Sequence, residues 1–494
     1  MKLIQHSDER SKQDLDDEPS ELQRDILLYE SSLQSVKDEK EKLDKIKERI
    51  GELEDQIDDM KGKRPSLVNS LRTIFSWRNY SVYLATSWVF TAFSYMSLFF
   101  NLYLYTVLEW NIVVIGSVLS IMGVISATSR LIGGYVGDMT NRKHLSVVAM
   151  FMMAVYNLIM GIFVGFTWII IALLFASTMD IFKGGSTAFI MDNIPKKHSG
   201  LGISLFTAGR FFGIITLGVF VVLVASLEFQ ASLQLMFQIG GLFLLGAAIL
   251  RAILLEGKPP ETKRESVSLV KSFVQENKRA AELLFKAVPG MIAIVVLDSL
   301  SDALFKFGAY IYIYDQINLG IPELAVMSIV TILVSVPIML GTGMLSDRRG
   351  EKNIALVIYS IMPFCAILLI LAPMFPFWVP LSIVTQANSI FNGLGVIFST
   401  PLLAIVMKSV NDSVWYLMLL TIIQKNLPRR DTAKILSVFW FIVWMLASIG
   451  PGIGGFVFEN FYQGYLFVIV LLINFIILGW IATKGLVRNS KKVE

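Results

Sequence analysis

Asp298, Asp302 and Lys306 stand at i, i+4 and i+8 inside one long apolar run. In an α-helix that spacing stacks all three on one face. The run, from Val288 to Tyr314, is long and apolar enough to cross a bilayer, where an ionisable side chain is costly unless paired or wetted. Such residues are therefore candidates for handling charge. Two carboxylates one turn apart disfavour simultaneous ionisation, so Asp298 or Asp302 is suited to loading and releasing a proton. Counting about 1.5 Å per residue from the ends of neighbouring runs places Asp180, Lys183 and Arg210 near the same depth, with Lys306 nearer the far side. Opposite charges there suit a small polar or ionic cargo, and Arg210 would balance a carboxylate or hold an anion. The competing reading is static bridging, Asp180 with Lys183 and Asp302 with Lys306.

These residues must be positioned by membrane helices. The chain has 494 residues, 54% hydrophobic and only 17% charged, with a mean hydropathy of +0.63. That is too apolar for a soluble fold and typical of a multi-spanning membrane protein. Apolar runs alternate with short polar turns: Tyr80 to Tyr105, Val113 to Val136, Leu145 to Phe166, Trp168 to Met191, Leu201 to Ala225 and Leu233 to Leu255. A basic connector over 257–287 follows, then Val288 to Tyr314, Pro322 to Leu345, Ala355 to Ala372, Ile435 to Phe458 and Leu466 to Ile481. Between them, 376–423 is too long for one ordinary span. It is expected to hold a long or interrupted tenth helix, or an apolar insertion on the outer side, because a further crossing would place Arg429 and Arg430 outside. No nucleotide-binding loop, metal-ligand spacing or nucleophile grouping appears, so no cofactor, ATP-driven step or enzyme activity is expected. The lone Cys365 permits no internal disulfide.

Charge asymmetry sets the orientation. Arg142 and Lys143, Lys196 and Lys197, the connector, Arg348 and Arg349, Arg429 and Arg430, and the basic C-terminus fall on one side of the alternation; the other turns carry Glu109, Glu228, Asp315, Glu323 and Glu459. Both termini are therefore expected in the cytoplasm of a cell-membrane protein. Residues 1–64 differ from the rest, with thirteen Lys/Arg against nineteen Asp/Glu. Within them Ile26, Tyr29, Leu33, Val36 and Leu43, then Ile46, Ile50, Leu53, Ile57 and Met60, trace a heptad stripe with a slip. This predicts a charged helical or coiled-coil arm, which would meet a protein partner or a second copy through residues 20–60; no nucleic-acid role is expected.

Two turns repeat. Gly134-Tyr-Val-Gly-Asp138-Met-Thr-Asn-Arg142-Lys143 returns near half-length as Gly343-Met-Leu-Ser-Asp347-Arg348-Arg349-Gly350-Glu-Lys352. They resemble the signature of the major facilitator superfamily, Gly-x-x-x-Asp-Arg/Lys-x-Gly-Arg-Lys/Arg, which lies after the second and eighth helices. The second copy fits through Gly343, Asp347, Arg348, Gly350 and Lys352. The first matches at Gly134, Asp138, Arg142 and Lys143, but Met139 and Asn141 stand where the family has a basic residue and a glycine. The stretch from Asp192 to Gly200 resembles the family's turn after helix four, and Asn426-Leu-Pro428-Arg-Arg its counterpart after helix ten. Gly450-Pro451-Gly-Ile-Gly454-Gly455 is similar to a glycine-rich motif of antiporters, here on helix eleven rather than five.

The resemblance implies an all-α membrane protein with twelve transmembrane helices in two pseudo-symmetric six-helix bundles, 65–256 and 288–494. It implies alternating access around a cavity lined by the first, fourth, seventh and tenth helices. Asp180, Lys183, Asp298, Asp302 and Lys306 would then line the cavity, and the repeated turns would gate it. Asp180 and Lys183 occupy what resemble the family's helix-four arginine and glutamine. The expected function is proton-coupled secondary transport of an unidentified small molecule, the glycine motif favouring export by antiport. The alternative is a transporter-like receptor or scaffold signalling through the N-terminal arm.

Overall fold

The computed structural model describes residues 67–183, 205–206, 208–257, 269–287, 289–342, 351–426 and 432–484. The N-terminal arm, the turn from Gly343 to Gly350, most of the connector, and the turns from Asp192 to Gly200 and at Pro428 fall outside the described residues, as do the side chains of Asp138 and Lys352. The described chain is helical throughout, and its one β contact is an isolated bridge between Phe377 and Ser399.

A short helix, Leu67–Ser76, precedes the apolar body. The first long element, α1, is Arg78–Thr106, continuous through a 3-10 turn at Tyr95–Phe99. Then come α2 Ile112–Met139, α3 Arg142–Ile162, α4 Phe166–Lys183, α5 Gly209–Ser226 and α6 Phe229–Leu254. The connector contributes α7, Leu269–Ala287. The second half comprises α8 Pro289–Ile317, α9 Ile321–Thr342, α10 as Glu351–Tyr359 and Ile361–Leu371, α11 Leu381–Ile390, α12 Thr400–Asn426, α13 Ser437–Asn460 and α14 Tyr465–Lys484. Asparagine side chains start two of these helices: Asn111 Oδ1 accepts from Val113 N at 2.8 Å and Asn141 Oδ1 from Lys143 N at 3.0 Å. The Asn141 cap gives a reason for the departure from glycine in the first repeated turn.

Among the described residues nine helices are long and apolar enough to cross a membrane, and a tenth if the bent pair Phe273–Lys286 and Gly290–Ile317 forms one span. Within α10, Ala355–Leu371 is a shorter apolar helix. Ile121, Ile215, Leu242, Ile253 and Leu472 are each more than half exposed on the helix exteriors, a large apolar surface of the kind lipid covers.

The halves meet along two seams, α2 against α13 and α5 against α9. Close approach requires glycine in the first: a Cβ on Gly455 would lie 2.7 Å from Ile112 O, and one on Gly134 would lie 2.9 Å from Ser437 Cβ. Residues 373–399 form a closed excursion. Thr400 N donates to Pro376 O at 2.9 Å and Trp378 N to Phe398 O at 3.1 Å, so the chain returns to the point it left. At ten residues, α11 spans about 15 Å, half of a hydrocarbon core of about 30 Å.

Candidate functional site

The centre of the second half holds a two-by-two charge network. Asp302 and Lys306 come from α8, Lys408 and Asp412 from α12, each pair one turn apart. Lys408 Nζ lies 2.5 Å from Asp302 Oδ1 and also bridges Asp412; Lys306 Nζ lies 2.7 Å from Asp302 and 3.7 Å from Asp412. Each charge thus faces two of opposite sign, which is how buried ions are tolerated. The lysines differ in setting. Lys408 is 4% exposed and rests against the Phe305 ring, whereas Lys306 is 63% exposed. Lys408 therefore ties the two helices together, while the Lys306 amine is open to solvent. Thr400 begins α12, so Lys408 lies about 12 Å along it, close to the middle of a spanning helix.

One turn before Asp302, Asp298 has a different environment. Its oxygens accept from two neutral donors, Tyr359 Oη on α10 at 2.9 Å and Trp415 Nε1 on α12 at 2.9 Å. Tyr359 Oη also lies 2.8 Å from Asn474 Oδ1 on α14, and the Ser301 hydroxyl donates to that same oxygen at 3.4 Å. Tyr359 has one proton and faces two acceptors, while Asn474 Nδ2 has no partner. Two proton arrangements satisfy the geometry. An ionised Asp298 takes the Tyr359 proton and the Asn474 amide turns to donate, or a protonated Asp298 donates to Tyr359, which passes its own proton to Asn474.

In the first half, Asp180 on α4 accepts from Arg130 Nε on α2 at 2.8 Å and from the Ser126 hydroxyl. The bridge described for Asp180 thus goes to Arg130. The Arg130 guanidinium in turn lies 3.8 Å from the centre of the Trp444 ring on α13, across the α2–α13 seam. Lys183 Nζ lies 5.6 Å from the centre of the Phe90 ring of α1. Arg210 stands at the start of α5.

A third set of contacts closes the end bearing the acidic turns. Tyr105 Oη donates to Asp315 Oδ2 at 2.8 Å, Asn111 Nδ2 to Glu459 Oε1 at 3.1 Å, and the Phe99 and Tyr310 rings meet edge to face at 6.0 Å. All three join the halves. Gln463 Nε2 adds a bond to Asp315 at 3.0 Å.

The structure therefore brings Asp302 and Lys306 together and places Asp298 beside them, with Asp180, Lys183 and Arg210 on the facing half. Of the repeated turns it places Gly134 against α13 and Arg142 and Lys143 at the start of α3. Sequence reasoning did not identify Lys408, Asp412, Arg130, Tyr359 or Trp415. The i, i+4 spacing of Lys408 and Asp412 is the signal that finds two of them, once α12 has a register. No group of side chains suited to hold a metal ion occurs among the described residues.

The family model of the Major Facilitator Superfamily matches residues 43–217 and 82–414. The chain belongs to the major facilitator superfamily. Solved structures of similar fold include a POT family transporter in complex with 5-aminolevulinic acid (12% identity, TM-score 0.60, covering 82% of this chain and 96% of that one). The nucleoside transporter NupG follows (14%, 0.56, 82% and 97%), and a D-xylose-proton symporter (15%, 0.56, 86% and 99%). No curated protein matches the chain in sequence. At these identities the solved structures establish the superfamily fold. With family and geometry together, the chain is a multi-pass membrane protein whose relatives in structure are transporters.

Proposed function

We propose that this chain is a secondary active transporter for a small polar or ionic molecule, working by alternating access between its two halves, with twelve membrane crossings and cytoplasmic termini. The carrying observation is the charge network of Asp302, Lys306, Lys408 and Asp412. It lies deep between helices, balances itself in sign, and leaves Lys306 accessible. A purely structural clasp would have both lysines buried. The cross-half contacts of Tyr105 with Asp315 and Asn111 with Glu459 support a conformation closed at the outer end.

Proton coupling is part of the proposal, with Asp298 as the loading group. Its two neutral donors and the turnable Asn474 amide accommodate the protonated and the ionised carboxyl with equal numbers of hydrogen bonds. Asp302, Lys408 and Asp412 supply the neighbouring charges that cargo would perturb. The test uses purified protein in liposomes. A ligand-stabilisation screen identifies a cargo, and its flux is then measured with and without an imposed pH gradient. Lys306→Gln is expected to abolish flux; undiminished flux in that variant refutes the site. Asp298→Asn is expected to retain cargo binding and exchange while losing acceleration by the gradient; retained acceleration refutes the proton assignment alone.

A further inference from the structure

The excursion between α10 and α12 carries no charge on either flank. Residues 353–407 contain no Asp, Glu, Lys or Arg, although Glu109, Glu228, Asp315, Glu323 and Glu459 mark the other turns expected at that end. A loop standing in water has no reason to avoid charge over such a length. Large apolar side chains are exposed along it: Met374 is 72% exposed, Leu381 70% and Ile390 76%, with Phe375 and Trp378 each more than half exposed. These continue the exterior apolar band of α10, whose Phe364 and Leu371 are also exposed.

Helix α11 divides its surface three ways. Val384 and Ala387 are buried against the protein. Ser382, Thr385, Gln386 and Ser389, at i, i+3, i+4 and i+7, form one exposed polar stripe. Ile383 and Ile390, seven residues apart, form an exposed apolar stripe between the buried face and the polar one. Apart from Leu381 in its first turn, this helix has separate protein, water and apolar faces and is too short to cross, which fits the boundary between acyl chains and headgroups.

We infer that residues 373–399 are a membrane-interface anchor, with α11 lying along the bilayer surface, Ile383 and Ile390 in the acyl region and the Ser382 to Ser389 stripe toward water. The ligand is the lipid boundary itself, neutral headgroups included, because the segment offers no charge for an anionic lipid. The anchor is firmly tied to the bundle. Gly393 adopts φ +86°, and a Cβ there would lie 2.7 Å from the Pro322 carbonyl carbon, so the excursion sits directly on the start of α9. Asn388 Oδ1 accepts from Gly395 N at 2.7 Å, and the neck at Pro376 and Thr400 opens straight into α12. Holding the neck at the boundary fixes the depth at which α12 presents Lys408 and Asp412. The inference rests on the membrane fold and is independent of cargo or coupling.

The test is nitroxide scanning of full-length protein in phosphatidylcholine vesicles. Ser389→Cys and Ile390→Cys are each spin-labelled, Cys365 being buried, and relaxation by oxygen is compared with relaxation by a water-soluble nickel chelate. The expected result is inversion between neighbours, oxygen dominating at 390 and nickel at 389. Gln386→Cys with Ile383→Cys repeats the comparison should one label disturb folding. Nickel dominance at both sites would place the excursion in water, oxygen dominance at both would make it a buried re-entrant segment, and inaccessibility of Ile390 to both reagents would mean another protein surface covers it. Each of these three results overturns the inference.

Discussion

Replacing Lys408 with methionine tests whether the four-charge network acts as one unit. The substitution keeps an apolar stem of similar length and removes the amine that lies 2.5 Å from Asp302, bridges Asp412 and sits over the Phe305 ring. Asp302 would retain Lys306 at 2.7 Å, but Asp412 would be left with that same, already engaged amine at 3.7 Å. Removing one partner of a fully buried pair destabilises by about 3–5 kcal/mol. Asp302 and Asp412 keep 29% and 32% of their side-chain surface, so hydration reduces the expected loss to about 2–3 kcal/mol. Asp412→Asn is milder: Lys408 keeps Asp302 and the new amide oxygen still accepts a hydrogen bond, a loss of about 1 kcal/mol. Combining the two leaves one lysine facing one aspartate. The double variant should therefore be about as stable as Asp412→Asn alone, a coupling of about 2–3 kcal/mol. Equilibrium unfolding in mixed micelles, followed by helical circular dichroism, measures all four corners of the cycle. Additive losses would refute the network, leaving two unrelated ion pairs.

Three further outcomes are expected. Tyr105→Phe removes the hydrogen bond to Asp315; loss of a bond to a charged group, worth about 1.5–3 kcal/mol, shifts the population toward the outward-open state, read as faster labelling of a cysteine introduced at Lys306 by an impermeant outer reagent. Gly455→Val drives a side chain into the Ile112 backbone, and overpacking of about 1–3 kcal/mol or more lowers the melting temperature, whereas substitution at Gly246, which has open space around it, leaves melting unchanged. Trp444→Leu removes the face that Arg130 stacks on, a loss of about 0.5–2 kcal/mol, and should speed opening at the basic end, measured by single-molecule distances between labels on α2 and α13.

The helices were largely legible in the sequence because each is an apolar run bounded by a turn, and the repeated glycine–aspartate turns pointed to the superfamily that the family model supports. The charge network was legible on α8 alone. Asp298, Asp302 and Lys306 stand in a run with clear ends, so their shared face follows from spacing. Lys408 and Asp412 have the same spacing, but the excursion before them hides where α12 begins, and without a beginning no depth can be counted. Arg130 escaped for another reason: it sits four residues before Gly134 on the same helix, and its partners, Asp180 and Trp444, come from elements distant in sequence. Tyr359, Trp415 and Asn474 carry no charge, and only their convergence on Asp298 marks them.

The placement of these contacts says what must move. Every member of the charge network, and the Asp298 group with it, belongs to α8, α10, α12 or α14, all in the second half. Rocking of the halves can therefore leave the site assembled and change only what faces it. The contacts that do cross are of two kinds. At the acidic end they are hydrogen bonds from Tyr105 and Asn111 to single carboxylates; at the α2–α13 seam Arg130 stacks on Trp444. Each is worth a few kcal/mol at most, and the glycine contacts of α2 with α13 lie along the seam that would serve as pivot. In the proposed cycle, two states separated by such contacts would differ by an amount that a cargo bound at Lys306 could supply, provided the cargo touched the first half as well. Under the proposed function Arg210, at the start of α5 in the first half, is the candidate for that contact. A cargo held by the second half alone would bind both states equally and shift neither.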